Sequence, residues 1–376
     1  MFNDKKIAIV YDWLDKWGGV ERVLLTLAKI FPQANFYTSY YDSNGAKWAK
    51  SLSIKTSFIQ KLPSFIKKSR ILSVPFYPFA FESLDFNQYH LVISVTSAFA
   101  KGIITKPPTK HLCYLLTPTR YLWILKKDYF THKQFNFFIN HYLNYLKKWD
   151  YVASQRPDKI VSISKTVANR CKNYYHRPSD VVYPPFDLNY WQKIKEEVHP
   201  QNNKFKINNF FLVVSRLEPY KKINLVINVF NKLKKNLVIV GEGSQENQLK
   251  KIAKKEIFFY KKLTDSNLAY LYTQANGLIM PQEEDFGYIS LEAQFFDCPV
   301  IAYKNGGALE TVLENKTGIF FLKQTEEDLK DAIERYEKIK YNLKNNLLKK
   351  NINHLKKFDI NIFKEKFLNL IKKFFN

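Results

Sequence analysis

Two Rossmann-like α/β domains in tandem are the architecture this sequence predicts, on three observations. Both halves of the 376-residue chain open with an apolar strand, a turn and an amphipathic helix. The second half then alternates short apolar runs with segments of helix length. Between the halves lies a proline-marked polar stretch. Strands that alternate with helices of this length form a parallel sheet covered on both faces.

The first half begins with Ile7 to Val10, which leads through Gly18-Gly19 to a helix carrying Val20, Val23, Leu24, Leu27 and Ala28 at helical spacing. Further strands are predicted at 90–94, 111–115, 159–163 and 180–183. Tyr183-Pro184-Pro185-Phe186-Asp187 and the polar run through Asn202-Asn203-Lys204 read as a linker. The second half starts with Phe210 to Val214, then Arg216-Leu217-Glu218-Pro219, then a helix with Ile223, Val226, Ile227 and Phe230. Its remaining strands are predicted at 237–240, 257–259, 277–280, 299–302 and 318–321, with helices around 245–254, 265–275, 290–297 and 325–340. The domains are therefore placed at 1–188 and 206–355. A helical tail, 356–376, carries Phe363, Phe367, Leu370, Ile371 and Phe374 on one stripe and is expected to pack back on the first domain. Open parallel sheets bind ligands beyond the carboxyl ends of their strands, so two such domains are expected to face each other across a deep cleft that holds the site.

Composition narrows the function classes. Apolar content of 46% and a charged fraction of 25% are those of globular protein. No apolar stretch reaches the roughly 18 residues a membrane span needs. Met1-Phe2-Asn3-Asp4-Lys5-Lys6 runs straight into strand-like sequence, without the apolar region of a signal peptide. Cys113, Cys171 and Cys298 are far apart and in no ligand spacing, so they are expected to be reduced core thiols. The net charge is +25, with 51 lysines against 8 arginines. Residues 45–150 hold 16 Lys and Arg against 4 Asp and Glu, a net of +12. That stretch is also aromatic, with Phe65, Phe76 and Trp123 near Lys67, Lys68, Lys126 and Lys127. It suits an anionic membrane surface, a nucleic acid or a phosphate-bearing acceptor, or it is a solvated lysine-rich face.

The strongest chemical signal is Glu284-Asp285-Phe286-Gly287-Tyr288-Ile289-Ser290-Leu291-Glu292. It follows an apolar run and leads into helical sequence, so Glu284 precedes a helix start and Glu292 lies along that helix. The first N–H groups of a helix have no intrahelical partner and sit at its positive end, which suits an anionic ligand. Gly287 permits close backbone approach. Arg216 and Lys221 occupy the first strand-to-helix loop of the second domain, where two cations can hold a diphosphate. Gly18-Gly19 is an analogous turn in the first domain.

These motifs resemble the retaining nucleotide-sugar glycosyltransferases of family 4, which have the GT-B fold. The resemblance runs from about residue 5 to residue 340. It is carried by Val214-Ser215-Arg216-Leu217-Glu218-Pro219-Tyr220-Lys221, Ile239-Val240-Gly241-Glu242-Gly243, the 284–292 segment and Gly306-Gly307-Ala308-Leu309-Glu310-Thr311-Val312. The subgroup it looks most like comprises mannosyltransferase-type enzymes of O-antigen, capsule and exopolysaccharide assembly in bacteria. The resemblance implies that Arg216 and Lys221 bind the donor diphosphate and stabilise the leaving group, and that Glu284 bonds hydroxyls of the donor sugar. It implies that N–H groups of Phe286, Gly287 and Tyr288 touch sugar or phosphate and that Glu292 bonds the ribose. Gly18 and Gly19 approach the diphosphate, and Lys262 and Leu263 match the region that meets the nucleobase.

It implies no cofactor beyond the nucleotide-sugar co-substrate, and no metal ligands have the required spacing. The expected enzyme is a retaining, metal-independent glycosyltransferase that acts on a lipid-linked saccharide acceptor. It is expected in the cytoplasm, peripheral on the inner membrane, with an anionic membrane surface as partner and no nucleic acid. One position departs from the family: Leu116, before Thr117-Pro118-Thr119-Arg120-Tyr121, stands where members commonly have His near the donor sugar's 6-position. Leu116 cannot bond a hydroxyl, which leaves mannose open as the donor sugar. The competing classes are a GT-B nucleotide-sugar epimerase, which needs acid–base carboxylates and His in the cleft, and a basic nucleic-acid-binding protein, which leaves the 216–221 and 284–292 motifs unexplained.

Overall fold

The computed structural model describes residues 4–124, 137–198, 205 and 207–375. Lys126 and Lys127, and the part of the expected linker at 199–204, lie outside them. The chain divides into two compact units: one comprises Met1–Pro185 with Lys364–Asn376, the other Phe186–Phe363.

The first unit is built on a seven-stranded parallel sheet. Its strands are β1 (Ile7–Tyr11), β2 (Asn35–Thr38), β3 (Ile54–Thr56), β4 (Leu91–Thr96), β5 (Lys110–Leu115), β6 (Lys159–Ser162) and β7 (Asp180–Val181), in the order β3-β2-β1-β4-β5-β6-β7. β1 and β4 are buried along their whole length, as strands covered on both faces must be. Asp12, just past β1, is fully buried and accepts from the N–H groups of Ser97, Phe99 and Ala100 at 2.7 to 2.8 Å and from Thr96 Oγ1 at 2.9 Å. It ties the loop after β4 to the end of β1.

The second unit holds β8 (Phe210–Val214), β9 (Asn236–Val240), β10 (Ile257–Tyr260), β11 (Leu278–Met280), β12 (Val300–Tyr303) and β13 (Gly318–Phe321), all parallel, in the order β10-β9-β8-β11-β12-β13. Strand order reverses between β8 and β11, and such a reversal leaves room for a ligand at the carboxyl ends. Helix Ile223–Leu233 presents Ile223, Val226, Ile227 and Phe230 to the core, as its spacing predicts.

The segment read as a linker contains a helix, Leu188–Glu197. Asp187 caps it by accepting from Tyr190 N at 2.9 Å, and Trp191 is buried beneath it. Polar composition concealed one anchoring aromatic. The helix expected at 325–340 runs instead through Glu326–Lys356, because Tyr336, Leu343 and Leu347 continue its buried stripe. The last helix, Ile360–Phe375, belongs to the first unit from Lys364 on; its Phe367 ring stands edge-on to Tyr114 of β5 at 5.8 Å.

Two aromatic residues expected at a membrane face are turned inward. Phe76 packs against the core of the first unit. Trp123 donates its indole N–H to Asp150 at 2.8 Å and stands against Tyr174 and Tyr175. No helix among the described residues is long and apolar enough to cross a membrane.

Candidate functional site

Four loops at the carboxyl edge of the second sheet build the site. The loop after β8 carries Arg216 and Lys221. Lys221 ends a short 3-10 turn, Pro219–Lys221, just before helix Ile223–Leu233, and is 6% exposed. The loop after β11 carries Gln282 and Glu284 and ends at Gly287. There φ is +91°, a conformation that glycine adopts freely, and helix Tyr288–Phe295 begins at the next residue. Glu292 therefore lies in the second turn of an eight-residue helix.

Lys221 Nζ donates to Glu284 Oε1 at 2.5 Å, and Gln282 Nε2 donates to the same oxygen at 2.7 Å. Gln282 is buried, and its Oε1 has no hydrogen-bond partner among the described residues. A buried amide oxygen of this kind costs free energy when left unmatched. Arg216 has a different environment: it is exposed, and its guanidinium donates to Tyr220 Oη at 2.7 Å. The site thus has one buried, paired cation and one exposed cation in the same loop.

The neighbouring loops hold these side chains by backbone contacts that exclude larger residues. After β12, Gly307 N donates to Glu284 O at 2.7 Å, and a Cβ on Gly307 would stand 2.3 Å from Phe286 O. Gly306 has φ +67° and pairs with Glu284 as an isolated parallel bridge. After β9, a Cβ on Gly241 would stand 1.8 Å from Ser215 O, and Leu217 N donates to Glu242 O at 3.0 Å. The glycines of the 241–243 and 306–307 motifs therefore set the positions of the Arg216 and Glu284 loops.

The other expected residues are placed as follows. Glu292 is 4% exposed and accepts from Tyr272 Oη at 3.1 Å. Phe286 is buried, with its ring against Tyr288 and Phe358. Lys262 and Leu263 follow β10, two strand positions from β8, and Lys262 has φ +54°. In the first unit, Gly18 is extended at φ −172°, so its backbone suits any residue; what favours glycine is Glu21, whose Oε2 would lie 3.0 Å from a Cβ. Leu116 follows β5 and donates its N–H to Thr96 O at 2.8 Å.

Sequence reasoning missed Gln282, Tyr220 and Tyr272, which nothing in the spacing of charged residues marks. It also missed a buried hub in the first unit. Asp150 accepts from Lys101 Nζ at 2.6 Å, Thr119 Oγ1 at 2.7 Å, Tyr175 Oη at 2.7 Å and Trp123 Nε1 at 2.8 Å. Lys101 and Asp150 are each 1% exposed. This hub anchors the Thr117–Trp123 segment that follows Leu116. Among the described residues no group of three or more His, Cys, Asp or Glu side chains is placed to hold a metal ion.

The model of the glycosyl transferases group 1 family matches residues 194–354, the stretch that holds all four loops. Those residues are similar to a group 1 glycosyltransferase domain. The chain is 29% identical over 212 residues to the mouse alpha-1,3/1,6-mannosyltransferase ALG2, an alignment that covers 48% of this chain and 50% of that protein. The chain thus spans about half the length of that relative. The crystal structure of Anabaena HepE in complex with UDP-glucose superposes with a TM-score of 0.72 at 17% identity, over 98% of this chain and 99% of that one. WaaG, a glycosyltransferase involved in lipopolysaccharide biosynthesis, superposes with a TM-score of 0.67 at 13% identity, over 97% of this chain and 99% of that one. With the group 1 match in the second unit and a parallel Rossmann-like sheet in each, the fold is GT-B.

Proposed function

We propose that the protein is a retaining, metal-independent glycosyltransferase that moves a sugar from a nucleotide-diphosphate donor to a lipid-linked saccharide in cell-surface polysaccharide assembly. The observation that carries this reading is the meeting of Lys221 with Glu284 where strand order reverses, with Arg216 in the same loop. Breaking an anomeric C–O bond places negative charge on the diphosphate. Fixed cations lower that barrier because their stabilisation grows as the charge develops. Lys221 and Arg216 supply those cations from the protein itself. Glu284, fixed by Lys221 and Gln282, is suited to accept from sugar hydroxyls, and the unmatched Gln282 Oε1 is a second acceptor beside it.

Supporting the donor class, the HepE structure holds UDP-glucose. Supporting the pathway class, WaaG acts in lipopolysaccharide biosynthesis. The sheet topology favours the same donor class, since the site lies at a strand-order reversal that suits nucleotides.

The test is a thermal-shift screen with UDP and GDP, followed by transfer assays with sugar nucleotides of the stabilising base in the presence of EDTA. Acceptors are polyprenyl-diphosphate-linked saccharides, and product configuration is read by NMR. Transfer with the donor's anomeric configuration kept, and unaffected by EDTA, is expected. An inverted product removes the retaining mechanism, and loss of activity that Mg²⁺ or Mn²⁺ restores removes the metal-independent one.

A further inference from the structure

In the first unit, residues 58–82 fold into a block of short helical turns with two unlike faces. Phe58–Lys61, Ser64–Lys67, Arg70–Ser73, Val74–Phe76 and Tyr77–Glu82 follow one another almost without interruption. Ser73 Oγ donates to Ile66 O at 2.7 Å and Lys67 Nζ to Gln60 O at 3.0 Å, which binds successive turns into one piece. The inner face places Ile59, Tyr77, Ala80 and Phe81 in the core. The outer face leaves Ile71 84% exposed, Phe65 69%, Phe79 60% and Leu72 49%. Exposed large apolar side chains scattered singly need no explanation, but four within fifteen residues of one hydrogen-bonded block point to an interaction surface.

The charge along this stretch is mostly positive, and the two acids beside it are engaged within the protein, Glu82 with Arg156 and Asp15 with Arg70. Residues 45–81 contain Lys47, Lys50, Lys55, Lys61, Lys67, Lys68 and Arg70 and not a single Asp or Glu. Lys61 and Lys68, which flank Phe65, are exposed. Arg70 is engaged within the protein, paired with Asp15 and stacked 3.9 Å over the Trp13 ring. Apolar side chains standing out from a cationic surround match a bilayer with anionic headgroups: the lysines meet the headgroups while aromatic and aliphatic side chains reach the acyl boundary.

We propose that this block is the membrane-docking surface of the protein, with Phe65, Ile71, Leu72 and Phe79 entering an anionic bilayer and Lys61 and Lys68 contacting its headgroups. It rests on the lipid-linked acceptor of the proposed function and does not depend on which sugar is transferred. A face of this kind holds the first unit at the bilayer surface, the place where a lipid-linked acceptor presents its saccharide.

The experiment is co-sedimentation of the full chain with phosphatidylglycerol/phosphatidylethanolamine vesicles and with phosphatidylcholine vesicles, at low and high salt. Wild type is expected on the anionic vesicles, with binding weakened by salt. A variant carrying Phe65→Ser, Ile71→Ser and Phe79→Ser is expected to lose about ten-fold or more in partitioning, and Lys61→Glu with Lys68→Glu to lose binding at low salt. An independent reading uses Ile71→Cys with a nitroxide label, which reacts selectively because Cys113, Cys171 and Cys298 are buried. The label should be open to a water-soluble nickel relaxant in solution and shielded on vesicles. Wild type that binds while the apolar variant binds equally, with the label unshielded, overturns this surface and leaves the membrane reading standing. Wild type that binds no anionic vesicle overturns both. A dimer in solution that the apolar variant abolishes, with vesicle binding unchanged, assigns the surface to a second copy of the chain instead.

Discussion

Lys221 Nζ lies 2.5 Å from Glu284 Oε1, so a cation delivered after β8 meets a carboxylate delivered after β11 beside the point where the strand order of the second sheet reverses. Neither residue is near the other in sequence. Their meeting follows from β8 and β11 being neighbours in the sheet, with Gly306 and Gly307 pinning the Glu284 loop from the next strand over. Each charge is compensated by the other, which offsets part of the cost of burying the pair.

The two cations of this loop are expected to separate in their effects. Lys221→Ala and Arg216→Ala should each lower turnover by about 10²-fold, the usual result of removing one preorganised electrostatic donor. Only Lys221→Ala should also lower the melting temperature, because it strands Glu284, whereas Arg216 is exposed. Initial rates and thermal unfolding of both variants check this, and near-normal turnover in both would remove the leaving-group assignment.

Gly307 offers a test of the loop architecture that touches no charged group. A Cβ there stands 2.3 Å from Phe286 O, so Gly307→Ala must push the 284–287 loop away from its place. Overpacking of this kind costs about 1–3 kcal/mol. The expected result is lower stability in urea together with weaker binding of the nucleotide by calorimetry. Unchanged affinity in a destabilised variant would show that the loop does not form the donor site.

Much of this architecture was legible because parallel strands buried on both faces announce themselves as apolar runs. β8, β9, β11, β12 and β13 fall within about a residue of where such runs predict them. β2 and β3 escaped notice because Asn35–Thr38 and Ile54–Thr56 are short and carry polar residues; only pairing with β1 and with each other makes them strands. The charged members of the site were visible as spaced motifs on strand-to-helix loops. Their bonding was not: Gln282 is an ordinary polar residue until the fold buries it against Glu284, and Asp150 is one acid in a basic helix until four donors close on it. The aromatic surface was only partly legible for the same reason: Phe65 is exposed as expected, but the exposure of Phe79 and the partial burial of Phe76 and Trp123 are settled by packing and not by local sequence.

The Lys101–Asp150 hub should prove strongly stabilising in one specific sense. Both groups are 1% exposed, so Asp150→Asn leaves a buried ammonium without its counter-charge. Breaking one side of such a pair costs about 3–5 kcal/mol. Urea unfolding of Asp150→Asn and of the double variant Asp150→Asn with Lys101→Met is expected to show the single change as the more damaging. Equal losses would mean that packing, not the charge, is what the hub supplies.

Glu21 links stability to pH. It stands in the first turn of helix Gly19–Ile30, beneath Gly18, with Oε2 buried and without a hydrogen-bond partner among the described residues. Burial raises its pKa from the ordinary 4.5 to about 7; the nearby Asp15 pushes the same way, while its own backbone N–H, Lys16 and the backbone of Gly18 pull it down. A carboxyl whose folded pKa is raised favours the folded state fully below its unfolded value of about 4.5. That contribution is lost as pH climbs through about 7, and no further change follows above it. A shift of this size corresponds to about 3 kcal/mol at most. Glu21→Gln keeps the shape and removes the titration, so its stability relative to wild type should rise by up to that amount between about pH 4.5 and pH 8. Unfolding in urea at the two pH values, wild type against variant, measures the difference directly. A variant that tracks wild type in parallel across the range would show that Glu21 is ionised or solvated in the folded protein, and that the carboxyl under Gly18 does not carry a proton at neutral pH.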